Sequence, residues 1–441
     1  MIKIDSNFFQ KKKNDFEIKP FSLYMTKKQM DASKFYIYRK TDNQYYIPRF
    51  YDETLYQVKK LKSKDIIQNT DVRFLGKLRN IQVGFVERVL YYLIKKNGCI
   101  LSVPPGFGKT IMSIYISTKL KLKTLIIVHK TFLLDQWVQS LKKFSNHEIG
   151  IIQGKKIDIE NKTIVIGMLQ SLSMKEYDDY VYNSFDLIIV DEVHHIATKS
   201  FSKALLKFNF HFSLGLSATP QRKDGLTKVY QYFLGKYIVN EKDNEDIKKC
   251  LEERKKEVVV YRCKFNHNKN DKLFKSILLY SNKEQYNISK MISNISQSEE
   301  RNNFIYKKLK EIFLNRYVLI LSSRVIQLEN LYQKFKTDFP DIKSSLFIGK
   351  MSMKELTKSL ENNVQVLFGT YEFISEGFDY PVLNTLFLIT PRTDIVQICG
   401  RILRKIKNNP IIFDFWDDIT PFNYQAQKRY KYYLSSKFTI K

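Results

Sequence analysis

The chain has 441 residues, of which 44% are hydrophobic, so it is long enough for two or three folded domains and too apolar to be a disordered chain. Lysine and arginine total 74 against 45 aspartates and glutamates, and the resulting formal charge of +29 favours a polyanionic partner such as nucleic acid. No apolar run approaches the ~18 residues of a membrane helix, no secretory signal opens the sequence, and the four cysteines lie too far apart for a metal-binding or disulfide pattern. We therefore expect a soluble, intracellular protein with no membrane partner.

Residues 1–75 predict a small accessory module that is rich in β-strands. Its segments KFYIYRK and YYIPRFYD alternate aromatic or apolar residues with polar ones. Alternation of this kind is typical of half-buried strands.

Two α/β domains are predicted after the module, over residues 76–240 and 241–425. The first contains the apolar runs GCILSV, TLIIVH, TIVIGM, DLIIVD and FSLGLS, and the second contains EVVVYRC, YVLILSS, VQVLFGT, NTLFLIT and PIIFDF. Such runs, separated by helical segments, are typical of parallel sheets with helices on both faces. The charged segment around 241–256 predicts a solvated hinge. A basic, aromatic tail at 426–441 either strengthens nucleic-acid binding or contributes ordinary core residues.

The stretch SVPPGFGKT joins a predicted strand to a predicted helix and has the composition of a phosphate-binding loop. Gly106 and Gly108 let backbone N–H groups approach an anion closely, and Lys109 neutralises its charge. The Thr110 hydroxyl suits Mg²⁺. Val103 stands where the general phosphate-loop pattern has its first glycine. The stretch predicts a site for the phosphate chain of a nucleotide.

An acidic pair, Asp191 and Glu192, follows the buried run in FDLIIVDEVHHI. The ends of strands in α/β folds are where ligand sites lie. Asp191 can hold Mg²⁺ while Glu192 orients and deprotonates an attacking water. Together with Lys109, this pair predicts nucleotide hydrolysis.

These two motifs resemble those of superfamily-two helicases and translocases. DEVH, which includes His194, resembles their D-E-x-H box, and PPGFGKT resembles their P-T-G-x-G-K-T loop, with Pro105 in place of the usual threonine. The resemblance implies two tandem RecA-like domains, ATP hydrolysis, and Mg²⁺ bound by Thr110 and Asp191. It also implies that Phe107 belongs to the nucleotide-binding loop.

Further motifs occur in the order found in that family. LRNIQ resembles the adenine-reading segment, with Arg79 and Gln82 at the matching positions, and GTYEFISEGFD resembles the motif in which Gly377 and Asp379 face the ribose. Other segments resemble those that contact nucleic acid or link its binding to hydrolysis. In one of them His129 stands where a proline is common. The residues implied in these roles are His129, Lys130, Gln170, Ser171, His194, Ser217, Thr219, Ser323, Arg324 and Thr370.

QICGRILR matches the family pattern Q-x-x-G-R-x-x-R, which supplies Gln397, Arg401 and Arg404. The spacing of three puts both arginines on one face of a helix, from which the resemblance implies that they reach across a cleft to the γ-phosphate. The implied catalytic set is Lys109, Asp191, Glu192, Gln397, Arg401 and Arg404. The implied nucleotide-binding set is Arg79, Gln82, Pro105, Gly106, Phe107, Gly108, Lys109, Thr110, Gly377 and Asp379.

The segments GLSATPQRKDG, ISEGFD and QICGRILR resemble the XPB-like branch of the superfamily, which includes DNA repair and transcription helicases and compact viral relatives. We therefore expect a monomeric, ATP-driven DNA helicase or translocase with repair or transcription machinery among its partners. An RNA helicase, a translocase that does not separate strands, and a nucleotide-dependent switch that does not hydrolyse remain open. Location in the cytoplasm, the nucleus or a virion remains open too. A restriction-type motor would need a nuclease module, for which the flanks leave little room.

Overall fold

The chain divides into two compact units, Met1–Glu245 and Asp246–Lys441. The computed structural model describes residues 1–20, 27–41, 44–55, 58, 71–104, 106–193, 198–218, 225–240, 245, 248–249, 253, 255, 257–268, 270–280, 285–349, 363–372, 380–402 and 409–441. Most of the predicted hinge at 241–256 lies outside these residues.

The first unit combines a small N-terminal region with a large sheet flanked by helices. Its described strands are β1 (Ile2–Ile4), β2 (Glu17–Ile18), β3 (Phe35–Tyr36), β4 (Arg39–Thr41), β5 (Gln44–Ile47), β6 (Gly98–Ser102), β7 (Thr124–Val128), β8 (Ile149–Gln153), β9 (Lys156–Ile157), β10 (Ile164–Met168), β11 (Leu187–Val190), β12 (Phe212–Ser217) and β13 (Ile238–Asn240). Its described α-helices are α1 (Ser6–Lys12), α2 (Lys27–Ala32), α3 (Asn80–Lys96), α4 (Lys109–Leu120), α5 (Thr131–Phe144), α6 (Leu169–Met174), α7 (Asp179–Asn183), α8 (Lys199–Lys207) and α9 (Thr227–Leu234).

The large sheet of this unit has the order β13-β6-β12-β11-β7-β10-β8-β9 among the described strands. All its neighbours pair in parallel except β8 and β9. Every residue of β6, β7, β10, β11 and β12 is buried, because helices cover both faces, and this burial explains their near-continuous apolar sequences. Ser102 lies opposite Ser217 and Val190 lies opposite Gly215, so these strands end at the same edge of the sheet.

The N-terminal region packs onto the same core. Strands β1, β5 and β4 form a small antiparallel sheet, and β2 pairs with β3. Ile4, Phe9 and Ile47 belong to one contiguous hydrophobic cluster with residues of the large sheet such as Ile100 and Leu125. The prediction of a small β-rich N-terminal region is confirmed.

Arg49, which follows β5, fixes this region to the large sheet. Its buried guanidinium donates hydrogen bonds to the Phe210 carbonyl and, at 3.1 Å, to the Ser213 hydroxyl. The same group lies 4.3 Å from the centre of the Phe210 ring, a cation–π contact. A neighbouring backbone bond joins the Phe50 N–H to the Tyr232 carbonyl at 2.9 Å.

His147 makes the first unit sensitive to acid. Its Nε2 lies 3.1 Å from the Ser117 hydroxyl in α4, and its Nδ1 lies 2.8 Å from the Thr163 hydroxyl. The ring is buried between these two hydroxyls, and burial disfavours its charged form. Burial lowers the pKa of His147 to about 4.

In the unfolded chain this histidine has its ordinary pKa of about 6.5. As the pH falls, it therefore binds a proton in the unfolded chain before it does so in the folded chain. Stability should fall as the pH drops below about 6.5, by about 2 kcal/mol between pH 7 and pH 5 from this group. Urea unfolding at the two pH values measures the loss. His147→Gln should flatten the dependence, whereas His211→Gln, at a partly exposed position, should retain it. Equal pH dependence in His147→Gln and the parent chain would contradict the assignment.

The second unit is built on one parallel sheet. Its described strands are β14 (Val259–Phe265), β15 (Val318–Ser322), β16 (Ser344–Phe347), β17 (Val366–Thr370), β18 (Thr385–Leu388), β19 (Ile411–Asp417) and β20 (Thr439–Ile440). Its described α-helices are α10 (Ile288–Gln297), α11 (Glu299–Ile312), α12 (Val325–Asp338), α13 (Val396–Cys399) and α14 (Phe422–Ser435). The order of the described strands is β16-β17-β15-β18-β19-β14-β20. Tyr433 in α14 and Phe438 are buried in the core of this unit.

Two buried ion pairs lie within the second unit. Arg301 in α11 donates to both oxygens of Asp417 at 2.7 and 2.8 Å and to the Ile389 carbonyl at 2.8 Å. Arg429 in α14 donates to one oxygen of Asp414 at 2.8 Å. A charge this deeply buried is tolerated only with such a partner, so each arginine fixes a helix to β19.

The predicted α/β class with two parallel sheets is confirmed, and each apolar run that predicted a strand contains one. In the two large sheets the prediction missed β8, β9, β13, β16 and β20, which are short or partly polar strands at or near the sheet edges. None of the described helices is both long and apolar enough to cross a membrane.

Candidate functional site

The predicted site residues of the first unit gather at one edge of its sheet. The phosphate loop follows β6, Lys130 is the N-cap of α5 after β7, and Gln170 lies in α6 after β10. Asp191 follows β11, and Ser217 ends β12. Because these strands are parallel, their carboxyl ends bring the residues to one side of the domain.

The phosphate loop turns into α4 through two residues with left-handed backbone. Gly106 has φ = 76° and Gly108 has φ = 93°, and Lys109 is the first residue of the helix. The free N–H groups and the positive end of the helix dipole at this terminus favour an anion. Lys109 and Thr110, both partly exposed, start this turn.

Arg79 and Gln82 hold the phosphate loop through the Phe107 backbone. The Gln82 Nε2 donates to the Phe107 carbonyl at 2.8 Å, and the Arg79 guanidinium donates to the same oxygen. The Gln82 Oε1 accepts from the Arg79 N–H at 2.9 Å, which completes a cap at the start of α3. The prediction that these two residues read adenine stays a prediction, and the structure adds a contact that links them to the loop.

Gly108→Ala should abolish nucleotide binding. A Cβ atom at this position would lie 2.4 Å from the Gln82 Nε2, and a φ of 93° is strained for any residue with a side chain. Isothermal titration with Mg·ADP tests the prediction. Gly154→Ala is the matched control, because Gly154 also has positive φ but nothing within 4 Å of the added Cβ, so that variant should bind normally. Wild-type affinity in Gly108→Ala would contradict the loop geometry.

The Asp191 carboxylate is held by two donors. The Trp137 indole Nε1–H donates to Oδ2 at 3.0 Å, and the Glu192 backbone N–H donates to Oδ1 at 3.0 Å. Burial, and then the neighbouring Glu192 carboxylate, raise the pKa of Asp191, while Trp137, Lys109 and His129 act in the opposite direction. A bound cation would favour the ionised form further.

Glu192 adopts a left-handed backbone conformation with φ = 49°. This costs a residue with a side chain roughly 1–2 kcal/mol and is found where the surrounding structure requires it. The chain therefore turns sharply directly after Asp191, which places the two carboxyl-bearing residues on the same edge of the sheet as the phosphate loop.

The residues present fit a Mg²⁺ ion. A hydroxyl and a carboxylate are oxygen ligands, and each Asp191 oxygen keeps lone-pair capacity beyond the single donor that it accepts. Among the described residues, no group of three His, Cys, Asp or Glu could hold a metal ion by itself. Mg²⁺ differs from other metals in needing only one or two protein ligands, because phosphates and waters supply the rest.

The other predicted residues of the first unit that the structure describes also lie at this edge. His129 and Lys130 follow β7, and Ser217 is fully buried at the end of β12. The exposed Gln170 and the partly exposed Ser171 lie in α6, where the Ser171 hydroxyl accepts the Gly154 N–H at 2.9 Å.

In the second unit, Ser323 and Arg324 follow β15. The Ser323 N–H donates to the Thr390 hydroxyl at 2.9 Å. The Arg324 guanidinium binds α10 through the Ser293 hydroxyl at 2.8 Å and the Ser289 carbonyl at 2.6 Å. Arg324 thus fixes α10 beside the carboxyl end of β15, and a contact with nucleic acid stays a prediction.

Thr370 ends β17 beside Ser322, and Gln397 lies in the short helix α13. Arg401 follows that helix and is 7% exposed. The predicted site residues that lie outside the described residues are Pro105, His194, Thr219, Gly377, Asp379 and Arg404.

Trp137 is a site residue that the sequence did not reveal. It lies on the buried face of α5 with Leu133, Leu134 and Leu141, a spacing that only indicates a packed helix. Only the chemistry of its side chain could have indicated a polar contact, because a buried indole N–H needs an acceptor.

The chain is similar to known proteins over most of its length. A model of the family described as "ResIII: Type III restriction enzyme, res subunit" matches residues 75–222. The chain is 32% identical over 452 residues to "Putative ATP-dependent RNA helicase L396" of Acanthamoeba polyphaga mimivirus, which covers 99% of this chain and 83% of that protein. It is 29% identical over 245 residues to "DNA 3'-5' translocase XPB2" of Sulfurisphaera tokodaii, over 56% of this chain and 46% of that protein.

A solved structure supports the fold. Dbp5 of S. cerevisiae, bound to RNA and ADP BeF3, matches 83% of this chain and 90% of its own with a TM-score of 0.55. At 16% identity this likeness shows the shared RecA-like architecture alone.

Proposed function

The chain belongs to the superfamily-two helicases, which are ATP-hydrolysing enzymes, and from this premise we propose that it is a DNA motor. In this proposal, hydrolysis of Mg·ATP drives movement along DNA or separation of its strands. The observation that carries the proposal is the arrangement of Lys109, Asp191 and Glu192 at one edge of a parallel sheet.

Each of these residues has a separate role in hydrolysis. Lys109 neutralises charge on the outer phosphates while the loop amides bind them. Asp191 and Thr110 would hold Mg²⁺, which would supply charge neutralisation on the phosphate oxygens. Glu192 positions the attacking water and accepts its proton.

In this proposal the second unit would contribute positive charges to hydrolysis. In this proposal, Arg401 and Arg404 approach the γ-phosphate when the two units close on the nucleotide, and Gln397 supports them. Closure would depend on the γ-phosphate, so hydrolysis would allow the two units to open again. Ser323, Arg324 and Thr370 in the second unit, and Lys130 and Gln170 in the first, would then alternate their contacts with the nucleic-acid backbone.

Two observations bear on the choice between DNA and RNA. Similarity to a DNA translocase, over 56% of this chain, and the XPB-like motifs favour DNA. Similarity to a protein whose name says RNA helicase, over 99% of this chain, favours the second candidate, an ATP-dependent RNA helicase. The DNA proposal places the protein within the cell or a virion, with repair or transcription machinery as partners.

ATPase assays with single-stranded DNA, duplex DNA and RNA of matched length separate these candidates. For a DNA motor we expect DNA to stimulate turnover at least about tenfold more than RNA, and stimulation to decrease steeply with salt because phosphate contacts dominate. Equal or greater stimulation by RNA would overturn the DNA proposal and favour the second candidate.

Parallel assays of strand displacement and triplex displacement define the movement. Unwinding of a duplex indicates a helicase, whereas displacement of the third strand without unwinding indicates a translocase. Glu192→Gln is the control for both assays, since it should retain Mg·ATP binding and lose movement.

A further inference from the structure

The Trp137 indole in α5 makes a polar contact with the carboxylate that follows β11. The ring is 2% exposed on the inner face of α5, the face that also buries Leu133, Leu134 and Leu141. Its Nε1–H nevertheless donates to the Asp191 Oδ2 at 3.0 Å, although the two residues are 54 positions apart in sequence.

The second Asp191 oxygen is held as well. Oδ1 accepts the Glu192 N–H at 3.0 Å, and the chain turns sharply at Glu192, where φ is 49°. Rotation of the carboxylate about its last torsion angle would break one bond or both. The plane of the carboxylate is therefore set by a rigid ring on one side and a sharp backbone turn on the other.

From this geometry we propose that Trp137 is a positioning residue that holds the Asp191 carboxylate in the orientation that binds Mg²⁺. The inference rests on the proposed ATPase site. Groups that orient a metal ligand typically affect metal affinity about 10–100-fold when they are removed. Indole suits this role because it is a donor only and cannot compete for the metal.

Trp137→Phe tests the role, because it keeps an aromatic ring of similar shape and removes the donor. We expect the Mg²⁺ concentration that half-saturates ADP binding to rise about 10–100-fold, with the affinity for ADP in EDTA unchanged. Binding is measured by titration calorimetry, and thermal unfolding checks that the variant is folded. Unaltered magnesium dependence in a folded variant would mean that the contact only satisfies a buried N–H, and would overturn the proposal.

A second measurement leaves position 137 intact. The chain has two tryptophans, so Trp416→Phe makes Trp137 the sole source of tryptophan fluorescence. Trp416 lies in β19 of the second unit, next to the Lys264 ammonium at 5.0 Å, and has no part in the proposed site. Addition of Mg·ADP should change the emission of Trp137 more than ADP with EDTA does, because the metal binds the carboxylate that the indole contacts.

The outcomes separate this inference from the proposed function. An unchanged Trp137 emission in protein that binds Mg·ADP would overturn the positioning role and leave the ATPase site standing. Failure of the parent chain to bind Mg·ADP at all would instead overturn the proposed function. Trp416→Phe should keep the ATPase rate of the parent chain.

Discussion

Lys109→Ala is expected to reduce ATP turnover about a hundredfold to a thousandfold while the chain stays folded. Lys109 is the first residue of α4 and directly follows Gly108, so it carries its positive charge at the end of the phosphate loop. Removing it takes away the one positive charge that the loop itself offers to the outer phosphates. Steady-state hydrolysis at saturating nucleic acid measures the effect.

Lys119→Ala is the matched control for this experiment. Lys119 lies in the same helix, is exposed, and contacts the Tyr115 ring at 5.4 Å, so its removal takes one charge from α4 without approaching the loop. It should hydrolyse ATP at the parent rate. Substantial turnover in Lys109→Ala, or an equal loss in both variants, would show that the phosphate site lies elsewhere.

Arg301→Met is expected to destabilise the second unit by about 3–5 kcal/mol, because it leaves the Asp417 carboxylate buried without its partner. Both side chains are almost fully inaccessible to solvent, and the variant also takes a donor from the Ile389 carbonyl. Trp416 directly precedes Asp417 in β19, so its fluorescence in a Trp137→Phe background follows urea unfolding of this unit.

Two comparisons test the cause. Lys308→Met breaks a pair with Glu311 whose partners are about a third or more exposed, and should change stability by less than about 1 kcal/mol. The double variant Arg301→Met with Asp417→Leu should regain much of the loss, since no unpaired charge remains buried. An Arg301→Met chain as stable as the parent would refute the role assigned to this pair.

The sequence predicted the central strands well because burial on both faces leaves a simple pattern. Strands such as β7 and β11 are continuous runs of apolar residues, and their helices separate them clearly. A strand near the sheet edge carries no such pattern. The four residues of β16 begin with two serines, and only Phe347 is buried, so pairing with β17 rather than composition makes it a strand.

The site was predictable to the extent that its residues follow strands in short motifs. Lys109 and Asp191 were predicted because a phosphate loop and an acidic pair have local signatures. The bond from Gln82 to the Phe107 carbonyl and the bond from Trp137 to Asp191 have none, since each joins segments that only the folded sheet brings together. Side-chain donors of this kind depend on tertiary distances, which periodicity and spacing do not encode.

The anchoring of Arg49 limits how the ATPase half can be trimmed for experiments. A fragment that began at residue 76 would lack the guanidinium that binds the Phe210 carbonyl and the Ser213 hydroxyl, and would open the hydrophobic cluster shared with the sheet. Ser213 lies in β12, the strand between the one that leads into the phosphate loop and the one that leads to Asp191. A truncated motor domain should therefore aggregate or lose ATP turnover. That loss would come from a destabilised fold and not from the removal of a contact with the substrate.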